Sequence, residues 1–145
     1  GDLCILDANG QVTPHTATET NNIGVFAGVS YTASDGSFVF SRYFPSGTSA
    51  TGLIAYVYDD PYIVYRVQSA GTPAQTNVGN CADVVAGAGS TTTGQSGFSL
   101  NGTMGTSTAT CKIIGLWEDP ANSFAQYAQL EVLINEHLLK ATAGI

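Results

Sequence analysis

Two histidines, three cysteines and two acidic doublets are the residues whose types first suggest chemistry in this sequence. His15 and His137 stand near opposite ends of the chain. A histidine acts as a general base only beside a nucleophile and an orienting group. Neither a G-x-S-x-G elbow nor an H-E-x-x-H pair is present. A Ser/His/Asp set can be written down from so many serines, but no spacing singles one out. Both histidines therefore read as surface or edge residues, and no catalytic residue is assigned. Asp59-Asp60 precedes Pro61, and Glu118-Asp119 precedes Pro120. Such a doublet can hold calcium or cap a proline turn, and the turn is the reading adopted for both. Glycoside cleavage needs two carboxyls, one of them in an apolar pocket, and nothing in the sequence marks such a pair.

Cys4, Cys81 and Cys111 are odd in number, far apart and free of any C-x-x-C spacing, which argues against a disulfide framework and against zinc. They read as buried free thiols of a reducing compartment. Gly87–Gly97 is rich in glycine but lacks the G-K-[ST] ending of a phosphate cradle. No cofactor and no metal site is expected. Tyr31, Tyr43, Phe44, Tyr56, Tyr58, Tyr62 and Tyr65 could stack sugars; filling a core or an interface is the reading preferred.

The elements that would carry these residues are strands. Gly24–Gln68 is the organising stretch. Val25, Ala27 and Val29 alternate with Phe26, Gly28 and Ser30 up to Asp35-Gly36, and Phe38 and Phe40 then alternate with Val39 and Ser41. Alternation around an Asp-Gly turn predicts a hairpin. Leu53–Tyr58 and Tyr62–Gln68, separated by Asp59-Asp60-Pro61, predict a second pair and hence a set of four antiparallel strands. Phe26, Phe38, Phe40 and Ile54 are expected to face the core, with Phe38 and Phe40 on one side and Val39 on the other. Leu3–Asp7 and Gln11–Ala17 flank an Asn9-Gly10 turn, with Pro14 marking the second as an edge. Further on come a short apolar run at Cys81–Ala86, strands at Phe98–Asn101 and Thr108–Trp117, and one helical turn at Ala121–Gln126 capped by Asn122. Tyr127–Leu138 fits helical and strand periods alike; the surrounding pattern favours a strand followed by a short tail. Gly87–Gly97 reads as a mobile loop or as a segment ordered by a neighbour. The result is one all-β domain over residues 1–145, an antiparallel barrel or sandwich with long Gly/Ser/Thr-rich loops. The chain starts at Gly1, so a preceding N-terminal segment is expected to be missing here.

Charged residues make up only 10% of the chain, against about 25% in an ordinary soluble domain. Two explanations stand side by side: a surface covered by other subunits, or a secreted β-protein with a Ser/Thr surface. With four cations and a net charge of −7, nucleic acid is not an expected partner. No apolar run of about 18 residues is present, so no membrane span is expected.

Several blocks occur in an order that carries a resemblance. They are Gly24–Tyr31 (GVFAGVSY), Phe40–Pro45 (FSRYFP), Ile54–Pro61 (IAYVYDDP), Tyr65–Gln68 (YRVQ), Asn80–Val84 (NCADV), Gly89–Gly94 (GSTTTG) and Val132–His137 (VLINEH). Taken together the chain resembles the head-decoration, or cement, proteins of tailed bacteriophages. That resemblance implies a β-rich, non-enzymatic virion protein without cofactor, on the outer surface of the capsid, bridging major-capsid-protein subunits. A homotrimer is the expected assembly, because shells offer three-fold positions. Gly87–Gly97, Phe44–Gly52 and the chain ends are the expected contact elements. The competing expectations are a receptor- or carbohydrate-binding β-module of a tail fibre and, further off, a small secreted hydrolase.

Overall fold

The computed structural model describes residues 1–140. They form an all-β fold of antiparallel sheets, with two short 3-10 turns at Gln75–Asn77 and Leu138–Lys140. The first sheet holds β1 (Leu3–Leu6), β2 (Val12–Pro14), β3 (Asn22–Ala33), β4 (Phe38–Ser41) and β5 (Ala50–Tyr58). Its spine is β3, twelve residues long. β5 pairs along one side of β3, while β1 and then β4 share the other side. The second sheet runs β6 (Val64–Gln68), β11 (Gln129–Ile134), β10 (Cys111–Leu116), β7 (Cys81–Ala82), and a ribbon joins β8 (Val84–Val85) to β9 (Ser99–Leu100).

The turns form as their residues demand. Gly10 and Gly36 take positive φ, and the carboxylates of Asp7 and Asp35 accept backbone amides inside the same turns. The Asp60 carboxylate accepts the Tyr62 amide at 2.8 Å and that of Asp119 accepts the Ala121 amide at 2.8 Å. Both acidic doublets thus close turns beside their prolines. The ambiguous segment is strand β11, where Leu130, Val132 and Ile134 are buried in strict alternation. Ala121–Gln126 is not helical. The Asn122 side chain instead donates to the carbonyls of Trp117 and Gln129 and accepts the Gln129 amide, standing in for a stretch of ladder.

The four central strands do not form one set. β5 turns back onto β3, whereas β6 crosses to the second sheet and pairs with β11. Asp59-Asp60-Pro61 is therefore a passage between sheets rather than a hairpin. The principal core lies in the second half of the chain, around Ala82, Val84, Leu100, Cys111, Ile113, Leu130, Val132 and Ile134, with Leu3 and Val25 reaching in from the first sheet. Phe38 and Phe40 share one side, opposite to Val39, as alternation requires, but that side faces outward. Phe38 is 75% exposed, Phe40 68% and Ile54 56%, so the expectation that they fill the core is overturned. Strand period specifies parity; which parity is buried depends on where the second sheet lies, and it lies elsewhere.

Candidate interaction surface

The outward face of β3, β4 and β5 is built by residue size. Register places Ser30 beside both Phe40 and Ile54, Thr32 beside Phe38, and Gly28 beside Tyr56. The spine strand thus presents only small side chains here. Rings from its two neighbours lean over it, and Phe40 meets Tyr56 with centroids 5.5 Å apart. Ser30 lies buried beneath them and shares a 3.2 Å hydrogen bond with the Tyr56 hydroxyl. A Cβ on Gly28 would press on the Ser41 carbonyl at 3.1 Å and sit 3.8 Å from the Phe40 ring. The product is a platform of Phe38, Phe40, Ile54 and Tyr56 on strands that carry no charged residue. At about 150–250 Å² for each aromatic side chain, these exposures add up to a patch of several hundred Å².

The opposite face of the same sheet floors a cleft of about 820 Å³. Val29, Leu53 and Ala55 line the floor, Arg42, Tyr43 and Phe44 one rim, and Gly89–Thr91 with Gly94 and Gln95 another. Phe44 packs edge-on to Tyr31, centroids 5.3 Å apart. Gly87–Gly97, read from composition as mobile or neighbour-ordered, is ordered within the chain. Ser90 and Gln95 pair through backbone, and Gly94 donates to the Ser90 carbonyl at 2.8 Å. Gly94 also lies against the Tyr43 ring so closely that a Cβ would approach it to 2.6 Å. Gly94→Ala is therefore expected to lift this segment off Tyr43. Amide exchange at Ser90 and Gly94 should rise at least tenfold while the melting temperature moves little; unchanged protection would show that Tyr43 does not hold the segment.

The histidines, expected at the surface, are both buried. They share one partner, because strand pairing brings distant parts of the chain together at Asn22. His15 Nδ1 lies 2.8 Å from Asn22 Oδ1 and 3.4 Å from Glu19, and Asn22 bridges to His137 through the backbone. The Asn22 amide donates to the carbonyls of Glu19 and Glu136. This cluster ties the entry of β3 to the end of β11. Burial lowers the pKa of His137, with Lys140 adding to the effect, and its Nδ1 accepts the Leu139 amide. Burial excludes a substrate from both rings.

Partial burial raises the Glu19 pKa, but hydrogen bonds from the Thr16 hydroxyl and the Ala17 and Thr16 amides outweigh it, holding the carboxyl at about 2. A carboxyl depressed on folding contributes stability above its unfolded value, and that contribution is lost as pH falls through the folded one. Glu19 should therefore remain ionised at pH 3 in a carbonyl-detected NMR titration; a midpoint near 4.5 would show that the Thr16–Glu19 turn is not formed.

Cys4 and Cys111 are buried as expected and inert by position, whereas Cys81 is only half-buried. Burial pushes Cys4 up to about 11 and Cys111 up to about 12, and all three cysteines are free. Among the described residues no group of three or more His, Cys, Asp or Glu side chains could hold a metal ion. No described helix is long and apolar enough to cross a membrane. The platform was missed in the sequence because its parity was assigned to the core. The signal that marks it is the run of small residues Gly28, Ser30 and Thr32 opposite large ones, since a buried face seldom leaves its central strand so lightly filled. No family model, curated protein or solved structure matches the chain.

Proposed function

We propose that this protein is a non-enzymatic structural component of a tailed-phage virion, seated on the outer surface of the capsid and bridging major-capsid-protein subunits. The observation that carries this reading is the uncharged platform of Phe38, Phe40, Ile54 and Tyr56, exposed on a fold whose buried core lies elsewhere. An uncharged apolar face suits a broad protein surface, where it is desolvated without burying ions. The ordered blocks that resemble head-decoration proteins support the same reading. Two of them, Phe40–Pro45 and Ile54–Pro61, supply Phe40, Ile54 and Tyr56 to the platform and Arg42, Tyr43 and Phe44 to the cleft.

Counting copies on purified particles tests it, by quantitative mass spectrometry and by immunogold labelling. Hundreds of copies spread over the head are expected, and binding to heads should change little between about 50 and 500 mM salt, because the platform offers no charge to screen. Absence from the head would overturn the proposal. A second reading, a receptor- or carbohydrate-binding module of a tail appendage, is favoured by one observation: the cleft sets Tyr43 and Phe44 beside Arg42, Asp2 and Gln95. A few copies confined to the tail would select it.

A further inference from the structure

The edges of the sheets differ in how they are protected. β2 has three residues and ends in Pro14, β4 has four, β7 has two, and β6 carries Arg66. Short length, proline and charge are the usual means by which edges avoid pairing with other chains. β5 has none of them. It is nine residues long, without charge or proline, and among the described residues it pairs only with β3. Its register against β3 shifts between Thr51 and Ile54, where Gly52 takes a positive φ, and again between Tyr56 and Val57, where β3 carries the extra residue Ala27, so the uninterrupted ladder is Ile54–Tyr56. The open edge therefore centres on Ala55, with Leu53–Val57 spanning it.

We infer that this edge pairs with the same edge of a second copy, antiparallel about a two-fold axis at Ala55, joining two first sheets into one. Antiparallel self-pairing sets Leu53 against Val57 and Ile54 against Tyr56 across the axis, with Ala55 opposite itself. Each chain carries a net charge of −7, so a second copy is met with least repulsion along a strand that holds no charge. Side-chain exposure along the strand supports this as well: Leu53, Ile54 and Tyr56 are 42–56% exposed, so pairing covers their apolar flanks together with the free backbone groups while their outer faces stay open. Three-fold pairing would instead bring β5 against a different edge, and the other free edge beside β3 is the four-residue β4. The two-fold pairing adds the platforms of two copies into one continuous apolar surface, because Ile54 and Tyr56 belong to both features.

The test is sedimentation equilibrium together with single-cysteine crosslinking of the whole chain in a Cys81→Ser background. A dimer is expected, with Ala55→Cys forming a disulfide-linked dimer on mild oxidation. Leu53→Cys and Val57→Cys should each fail alone and crosslink when mixed. Ala55→Lys should weaken dimerisation at least tenfold with an unchanged circular dichroism spectrum, whereas Phe38→Ser, remote from the axis, should leave it intact. A monomer at 100 μM, a trimer, or crosslinking equally efficient at all three positions would overturn the inference. Neither arm involves a capsid, so failure here leaves the decoration reading standing, and the reverse holds as well.

Discussion

Truncating Leu130 to alanine is expected to destabilise the protein by about 2–5 kcal/mol, while Phe40→Ala costs less than about 1 kcal/mol. By side-chain size alone the order would be reversed. Leu130 is fully buried on β11 and packs within the cluster formed by Leu100, Ile113, Val132 and Ile134. Its removal leaves a cavity that strands on either side cannot close, because β11 is held between β6 and β10. Phe40 is 68% exposed and loses mainly its ring contact with Tyr56. Denaturant melts of the two variants give the comparison directly. Equal losses would mean that the first sheet packs against a second layer in solution. The same experiment bears on function. If the platform is a docking face, Phe40→Ala should leave the melt alone and reduce copy number on the head, separating a binding residue from a folding residue.

Much of the architecture was legible because it is written locally. Asn9-Gly10 and Asp35-Gly36 mark their turns through backbone preferences that need no tertiary partner. The alternation of Leu130, Val132 and Ile134 shows in strand β11 as it does in the sequence. Long-range choices were not legible. Nothing local in Tyr62–Gln68 says that β6 should cross to β11 rather than return to β5, since an Asp-Asp-Pro segment serves a hairpin and a crossing equally well. Nor does alternation say which side of β4 is wet. The histidine cluster escaped for a related reason. His15 and His137 are buried because β3 and the end of β11 meet at Asn22, a contact between residues more than a hundred positions apart. Gly87–Gly97 misled through composition: its glycines are there for close backbone approach, as the 2.2 Å contact awaiting any Cβ on Gly87 shows. Glycine content alone does not tell permissiveness from tight packing.

Gly24→Ala is expected to cost about 3 kcal/mol or more, through two effects that a control substitution separates. Gly24 sits where three strands converge: it is the Cα partner of Cys4 on β1, and its neighbour Val25 is the partner of Tyr58 on β5. Its φ of +137° lies in a region that L-residues rarely occupy, and a Cβ there would lie 1.9 Å from the Tyr58 carbonyl oxygen. Backbone on the far side of that contact is fixed by the ladder and by the Tyr65 hydroxyl, so the carbonyl cannot swing aside cheaply. Gly36 also has a positive φ, +84°, but nothing within 4 Å of its Cβ position. Gly36→Ala therefore reports backbone strain alone, about 1 kcal/mol. The excess in Gly24→Ala measures the close approach of β3 and β5. Losses of equal size in chemical melts would show that this approach is absent. A large excess would mean that the free edge of β5 is positioned by a contact only glycine permits, and Gly24→Ala should then also weaken association through Ala55.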